Sequence, residues 1–276
     1  MTYADYEALS ITTQAGIATV TMRFQGEPES ARRLQAIQHR ELVHIWRALD
    51  RDPDVRVALI TGVGESEFYL SGRPPGSWPG LESDDLEPMW AFSRMLEEEV
   101  GPLVGELVRF GKPLIAAING AASGAGLTVA LLSDISIMAE DAWLFDPHIM
   151  LGSTAGDGAG ALWPLFAGIP KAKLYLLTSD ALDGIEADRI GLIGRAVPRA
   201  ELMDVAYDYA HRLAKAPPVA LRFTKRGINQ WLKLAEIVSQ DFSLALESLA
   251  DYSRARQGNP HTDWPPRHVP DRRSSQ

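Results

Sequence analysis

Residues 112–126 read Lys112-Pro113-Leu114-Ile115-Ala116-Ala117-Ile118-Asn119-Gly120-Ala121-Ala122-Ser123-Gly124-Ala125-Gly126. The apolar run that ends at Ile118 is typical of a buried strand. Small residues then lead into an apolar segment, 127–132, for which we predict a helix. Glycine and alanine let backbone N–H groups approach a ligand, and at a helix N-terminus such donors suit an oxyanion. Close packing of the helix is the alternative that this segment alone leaves open.

A second segment, residues 147–159, reads Pro147-His148-Ile149-Met150-Leu151-Gly152-Ser153-Thr154-Ala155-Gly156-Asp157-Gly158-Ala159. A neutral imidazole titrates near pH 6.5, and a carboxylate at its far nitrogen fixes the tautomer and stabilises the imidazolium. We therefore expect His148 to act as a general base, with Asp157 within hydrogen-bond reach of its ring. On spacing alone, a structural histidine with Asp157 capping a helix that begins near Gly158 stays open.

In order and spacing, the two segments resemble the crotonase (enoyl-CoA hydratase/isomerase) superfamily, over roughly residues 8 to 250. Residues 57–62 and 68–73 resemble that superfamily's strand and first oxyanion-hole loop. The resemblance implies an oxyanion hole formed by the backbone N–H groups of Arg73 and Ala125.

The fold that this resemblance implies is α/β. A crotonase-like spiral of ββα repeats would cover residues 1–198, and a C-terminal helical trimerisation region would cover 199–257. Such late helices pack against neighbouring subunits and help to close their sites, so a homotrimer or a dimer of trimers is implied. Residues 258–276 are rich in Pro, Arg and Ser, and we expect a disordered tail there.

The chain departs from the hydratases at two positions. Hydratases of this superfamily place two glutamates in the site, where this chain has Thr128 and His148. Hydration by paired carboxylates is therefore not expected. The Asp146-Pro147-His148 motif and Asp157, nine residues beyond the histidine, instead resemble β-diketone hydrolases, the group that includes 6-oxocamphor hydrolase. Those enzymes cleave a carbon–carbon bond with water and without coenzyme A.

Further site residues come from the same resemblance. Glu247 on a late helix is the nearest candidate for an additional acidic residue, although a solvated helix-face glutamate is the alternative. Thr128, Trp78 and His39 are candidates for the substrate pocket. Trp78 lies in the segment 72–88, which is too long for a plain connection and suggests either a wall over a pocket or an exposed insertion. His39 lies on a predicted helix, where a structural role is the alternative.

The resemblance predicts a cofactor-independent retro-Claisen hydrolase. Asp157 would orient His148, which would take a proton from water, and the hydroxide would attack a carbonyl of a 1,3-diketone. Two other classes stay open. One is an acyl-CoA hydratase, isomerase or thioester hydrolase that uses the same oxyanion hole, and the other is a non-catalytic binding relative. Diketone loss or thioester turnover would separate them.

Composition limits the partners. The 276-residue chain has a net charge of −9, which argues against nucleic acid or an anionic membrane as a partner and fits a neutral small-molecule substrate. It has no cysteine, so disulfides and thiolate catalysis are excluded. We find no metal-spaced histidine pair and no phosphate-binding loop, and we expect neither metal nor cofactor. No secretory leader is recognisable, so we expect a cytoplasmic protein.

Overall fold

The computed structural model describes residues 3–23, 28–64, 67–70 and 87–257. The strands in these ranges are β1 (Leu9–Gln14), β2 (Ile17–Met22), β3 (Val57–Gly62), β4 (Glu67–Leu70), β5 (Leu114–Ile118), β6 (Ala121–Ser123), β7 (Ile135–Ala139), β8 (Trp143–Phe145), β9 (Leu182–Asp183) and β10 (Arg195–Val197). They form two sheets. One sheet has the order β1-β2-β3-β5-β7-β10, and the other has the order β4-β6-β8-β9.

Most strand pairs are parallel. The first sheet begins with an antiparallel hairpin of β1 and β2, and every later pair in it is parallel. In the second sheet, only the pair β8 and β9 is antiparallel. Parallel neighbours require crossover connections, which the intervening helices supply. This architecture confirms the α/β class that the sequence predicts.

The helices in the described ranges are α1 (Pro28–Arg51), α2 (Glu87–Met95), α3 (Gly101–Arg109), α4 (Ala125–Leu132), α5 (Ala159–Thr178), α6 (Gly184–Arg189), α7 (Leu202–Lys215), α8 (Pro218–Ala235) and α9 (Asp241–Gln257). Two π-helical segments, Leu96–Val100 and Glu236–Gln240, connect α2 to α3 and α8 to α9. A bend at Gly168, which has a φ of 78°, divides α5 just before Pro170. None of the helices in these ranges is long and apolar enough to cross a bilayer.

The chain passes from one sheet to the other at Asn119. The side-chain amide of Asn119 donates to the carbonyl oxygens of Gly62 and Gly64, and its side-chain oxygen accepts from the Gly62 N–H. These bonds hold the end of β3 beside the end of β5. The turn therefore directs β6 and the start of α4 away from the first sheet in a fixed position.

Strands β3 and β5 are buried at every residue, and the apolar run of β5 predicts this. All eight residues of α4 are buried as well, including Thr128. An element buried on all sides cannot shift without opening the core, because protein interiors are packed as densely as organic crystals. The helix N-terminus at Ala125 is thus a rigid part of the molecule.

Not every packing detail follows from the sequence. Helical spacing predicts that Trp90 points inward from α2, yet this side chain is 54% exposed. The spacing also predicts one helix up to Phe110, but the π-helical turn at Leu96–Val100 interrupts it. The expected domain boundary at residue 198 stays a prediction, and residues 258–276 lie outside the described residues.

Candidate functional site

The 146–158 loop connects β8 to α5 and carries the candidate base. His148 is buried, and its Nδ1 lies 2.9 Å from Oδ1 of Asp146. The same carboxylate oxygen accepts the backbone N–H of His148 at 3.1 Å. An aspartate that accepts from the backbone two residues on forms a stable local turn. Asp146 therefore fixes both the backbone and the ring of His148, which leaves Nε2 to face the site.

Asp157 lies beside this pair but makes no hydrogen bond to the ring. For these two described residues, no hydrogen bond or ion pair joins the Asp157 carboxylate to His148, so the expected direct hydrogen bond is wrong. Asp157 Oδ1 is buried and finds no hydrogen-bond partner in the described part of the chain. The nine-residue spacing brings the two side chains into one cluster but gives the orienting position to Asp146.

Glu247 on α9 completes the cluster. Its Oε1 lies 3.7 Å from His148 Nε2, and its other oxygen is buried with no partner among the described residues. A Cβ atom at Gly156 would overlap the Glu247 carboxylate, so the chain needs glycine there. The structure thus brings Glu247 to the face of the imidazole that Asp146 leaves open. In this chain α9 lies against the chain's own 146–158 loop.

The protonation of the cluster follows from burial and charge. Burial by itself lowers the pKa of His148, but the charges of Asp146 and Asp157 and the hydrogen bond to Asp146 raise it well above 6.5. Burial, aided by nearby aspartates and opposed by the charge of the His148 imidazolium, raises the pKa of Glu247 to about 8. Burial also raises the pKa of Asp157, to about 6, against the lowering effect of the imidazolium. Near neutral pH the site therefore holds both a proton donor and a carboxylate, Asp157, with one unpartnered oxygen.

We expect Glu247→Gln to stabilise the protein at high pH only. The pKa of Glu247 is about 8 in the folded state and 4.5 without the fold, so the folded state holds the proton between these values. Ionisation of Glu247 in the folded protein lowers the free energy of unfolding. This loss is absent below about pH 4.5, grows as pH rises and is complete above about pH 8. The variant should gain ~3–5 kcal/mol over the wild type at pH 9. Urea unfolding at pH 5 and pH 9 measures this difference.

The matched control for that measurement is Glu97→Gln, because Glu97 is exposed. Its effect on the free energy of unfolding should be small and equal at both pH values. If Glu247→Gln has the same effect at pH 5 as at pH 9, Glu247 is not held in the protonated form.

The remaining predicted site residues divide into three groups. Ala125 supplies the first N–H of α4, and Thr128, one turn later, donates its hydroxyl to the Asp157 carbonyl at 2.7 Å. His39 is half-buried on α1, and its place in a pocket stays a prediction. Arg73 and Trp78 lie outside the described residues.

The cluster also has the donor types of a divalent-cation site. Asp146, His148 and Asp157 each offer one atom, and these atoms lie within 4.8 Å of one another. Two ligands of one zinc ion lie at most about 4.3 Å apart, the sum of two bond lengths. The expectation of no metal stays a prediction.

Asp146 is the site residue that sequence reasoning missed. It belongs to the motif that carries the resemblance, yet the motif alone gives it no role. A local signal is present, because an aspartate two residues before a histidine can accept from both its backbone and its ring. The long-range contact of Glu247 with His148 has no such signal, since 99 residues separate them.

Comparisons with known proteins agree with this geometry. Two mixed sheets, a C-terminal helical region and a buried polar loop near a helix N-terminus define an α/β protein of the crotonase class. The enoyl-CoA hydratase/isomerase family model matches residues 12–255. The chain belongs to this family, which confirms the resemblance to the crotonase superfamily that its sequence shows.

Individual relatives differ in their named reactions. The chain is 28% identical to the short-chain-enoyl-CoA hydratase of Clostridium acetobutylicum, over 85% of this chain and 84% of that protein. It is 31% identical to the 1,2-epoxyphenylacetyl-CoA isomerase of Escherichia coli, over 87% of each. A β-diketone hydrolase from the cyanobacterium Anabaena, bound to (S)-3-oxocyclohexyl acetic acid, is structurally similar, with a TM-score of 0.77, 26% identity and coverage of 91% and 96%. Family membership alone therefore leaves the reaction open.

Proposed function

We propose that this protein is a cofactor-independent hydrolase that cleaves a carbon–carbon bond of a 1,3-diketone. The observation that carries the proposal is the buried imidazole of His148, held at Nδ1 by Asp146 with Nε2 toward Glu247. A ring fixed in this way presents a nitrogen that can take a proton from water. The similarity to the Anabaena β-diketone hydrolase supports the same reaction class.

In the proposed mechanism the productive state has a neutral imidazole and a protonated Glu247. His148 Nε2 accepts a proton from water, and the hydroxide adds to one carbonyl carbon of the diketone. The backbone N–H of Ala125, and by resemblance that of Arg73, holds the resulting oxyanion. Such a donor contributes about 2.7–4 kcal/mol to the transition state. Asp157, which carries an unpartnered buried oxygen, stabilises the imidazolium through its charge.

Collapse of the tetrahedral adduct then breaks the bond to the α-carbon. One fragment leaves as a carboxylic acid, and the other leaves as an enolate. Glu247 donates its proton to the enolate carbon, and the imidazolium 3.7 Å away returns a proton to Glu247. One water is consumed, and both groups end in their starting protonation states.

The experiment that tests this proposal is a substrate comparison in water enriched in ¹⁸O. Purified protein should remove the enol absorbance of cyclic or aliphatic 1,3-diketones. The carboxyl group formed, in a keto acid from a cyclic diketone or in a simple acid from an aliphatic one, should carry one ¹⁸O atom from water. Coenzyme A thioesters should show no turnover under the same conditions. Thioester turnover without loss of any diketone would contradict the proposal.

That outcome would favour the rival function, an acyl-CoA hydratase, isomerase or thioester hydrolase. Its support is the naming of the sequence relatives, most of which act on coenzyme A thioesters. The two positions at which hydratases of the superfamily have glutamates hold Thr128 and His148 in this chain, which argues against hydration by paired carboxylates. A non-catalytic binding relative, the third class, would bind a diketone or a thioester without turnover of either.

We also propose that the chain assembles as a homotrimer or a dimer of trimers. Large apolar side chains lie 53–80% exposed along α8, the π-helical turn after it and the start of α9, namely Val219, Phe223, Ile228, Trp231, Leu234, Ile237, Val238 and Phe242. Contiguous apolar surface of this kind marks an interface. A second copy of this chain is the occupant that the family resemblance favours.

Light scattering at micromolar concentration should therefore give a trimer or a hexamer. Trp231→Glu should shift the mass toward that of the monomer, because it would bury a charge in the interface. Lys233→Glu, on the same helix, is the matched control and should leave the mass unchanged. A wild-type protein that is monomeric at this concentration would contradict the proposed assembly.

A further inference from the structure

The π-helical turn and the helix α9 that follows it touch the 146–158 loop at three polar points in addition to Glu247. Gln240, at the end of the π-helical turn, donates its amide to the Gly156 carbonyl at 3.0 Å. Asp251 accepts the Ser153 hydroxyl at 2.6 Å, and Arg254 donates to the Leu151 carbonyl at 2.6 Å. We call Gln240, Asp251 and Arg254, with Ser153 as their partner in the loop, the α9 clamp.

The α9 clamp is built from buried polar groups. Gln240, Ser153 and Asp251 are each at most 7% exposed, and Arg254 forms an ion pair with Asp251. Burying a charged pair usually gains no stability over apolar residues of similar size. Polar contacts of this kind instead specify one position, since each hydrogen bond is satisfied in a single register. The clamp therefore fixes where α9 sits along the loop.

The register matters because Glu247 lies between the clamp residues on the same helix. Asp251 follows Glu247 by four residues, so both side chains lie on one face of α9. Ser153, the partner of Asp251, lies midway between His148 and Asp157 in the loop. A shift of α9 by one residue would move Glu247 by about 1.5 Å along the axis and rotate it away from the imidazole.

We infer that Asp251 is a positioning residue, which sets the distance between Glu247 and His148 by binding Ser153 and Arg254. This inference deepens the proposed function and rests on it for its effect on catalysis. Asp251 does not touch the substrate or the reacting atoms in this scheme. Its charge also helps to keep the proton on Glu247, because it raises the pKa of that carboxyl.

The test removes the Ser153 hydroxyl in one variant and, in another, the charge of Asp251 that holds both Ser153 and Arg254. Ser153→Ala and Asp251→Asn should both expose the 148–157 backbone to faster hydrogen–deuterium exchange. Both should also shift the pKa of the His148 imidazole, because this pKa depends on the distance to the Glu247 carboxyl and on its charge. This pKa is measured by NMR of ¹⁵N-histidine protein, with the signal assigned by its loss in His148→Gln. Ser153→Thr, which keeps the hydroxyl, should restore both properties.

Asp208→Asn is the matched control, because Asp208 forms an exposed ion pair with Arg212 on α7. It should leave the exchange of the loop and the titration of His148 unchanged. If diketone cleavage is the reaction, kcat in Ser153→Ala should fall by up to about a hundredfold, as expected for a misplacement near 1 Å. KM should change little.

The exchange and titration measurements use no substrate, so they test the positioning role even if the diketone proposal fails. If Asp251→Asn does not fold, Ser153→Ala carries the test alone. Unchanged loop exchange and an unchanged His148 pKa in Ser153→Ala would overturn the inference. Altered values together with the absence of any diketone turnover would overturn only the proposed reaction.

Discussion

His148→Ala should reduce the rate of diketone cleavage by about 10²–10⁴, the range expected when a general base is removed. The attacking water would then have no proton acceptor, because the Nε2 atom of the imidazole between Asp146 and Glu247 is removed. Asp157 and Glu247 would also lose the positive charge that lowers their pKa values, so both pKa values should rise. The rate is followed by the loss of enol absorbance at saturating substrate.

Two controls separate lost chemistry from lost structure. His44→Ala removes an exposed imidazole from α1 and should retain full activity. Circular dichroism and thermal unfolding should show that His148→Ala is folded. A folded His148→Ala protein that cleaves diketones at the wild-type rate would exclude His148 as the base.

The sequence predicts the central elements of the fold well, because their signals are local. Strand β5 is an uninterrupted apolar run that follows proline, and it is buried throughout as expected. Strand β3, which the resemblance predicts, is also buried throughout. Helix α4 begins two residues earlier than the predicted segment, since Gly124, with a φ of 51°, allows the chain to turn directly into the helix. Apolar runs and small-residue turns are sufficient to locate such elements.

Tertiary packing limits prediction elsewhere. Helical spacing predicts an inward direction for Trp90 and one helix up to Phe110, yet Trp90 is exposed and a π-helical turn at Leu96–Val100 interrupts the helix. A π turn inserts one extra residue and rotates everything after it, and the sequence carries no clear mark of it. The second π turn, which joins α8 to α9, is equally unpredictable from the sequence.

The composition of the site is predictable in part. The resemblance points to His148, Asp157 and Glu247, and these three side chains do share one cluster. The same reasoning predicts that Asp157 forms the hydrogen bond to the His148 ring, whereas Asp146 forms it. A spacing of nine residues does not fix how a loop folds. The closer Asp146 competes successfully, since it can bind the backbone and the ring of His148 at once.

This competition leads to the second large effect, a comparison of two aspartates in the same cluster. Asp146→Asn should lower kcat by about 10²–10⁴, because an amide neither selects the tautomer with Nε2 free nor stabilises the imidazolium. The analogous Asp-to-Asn change in the serine-protease triad costs about 10⁴ in rate. Asp157→Asn should cost only about tenfold, because Asp157 acts on the ring through charge without a hydrogen bond.

The pH dependence distinguishes these roles further. Both aspartates raise the pKa of His148 when ionised, so either substitution lowers it. The base is active when neutral, and the acidic limb of the kcat profile should therefore move to lower pH in both variants. Only Asp146→Asn should also lower the plateau strongly. A larger loss in Asp157→Asn than in Asp146→Asn would mean that Asp157 orients the imidazole during catalysis and that the contact with Asp146 serves only to hold the loop.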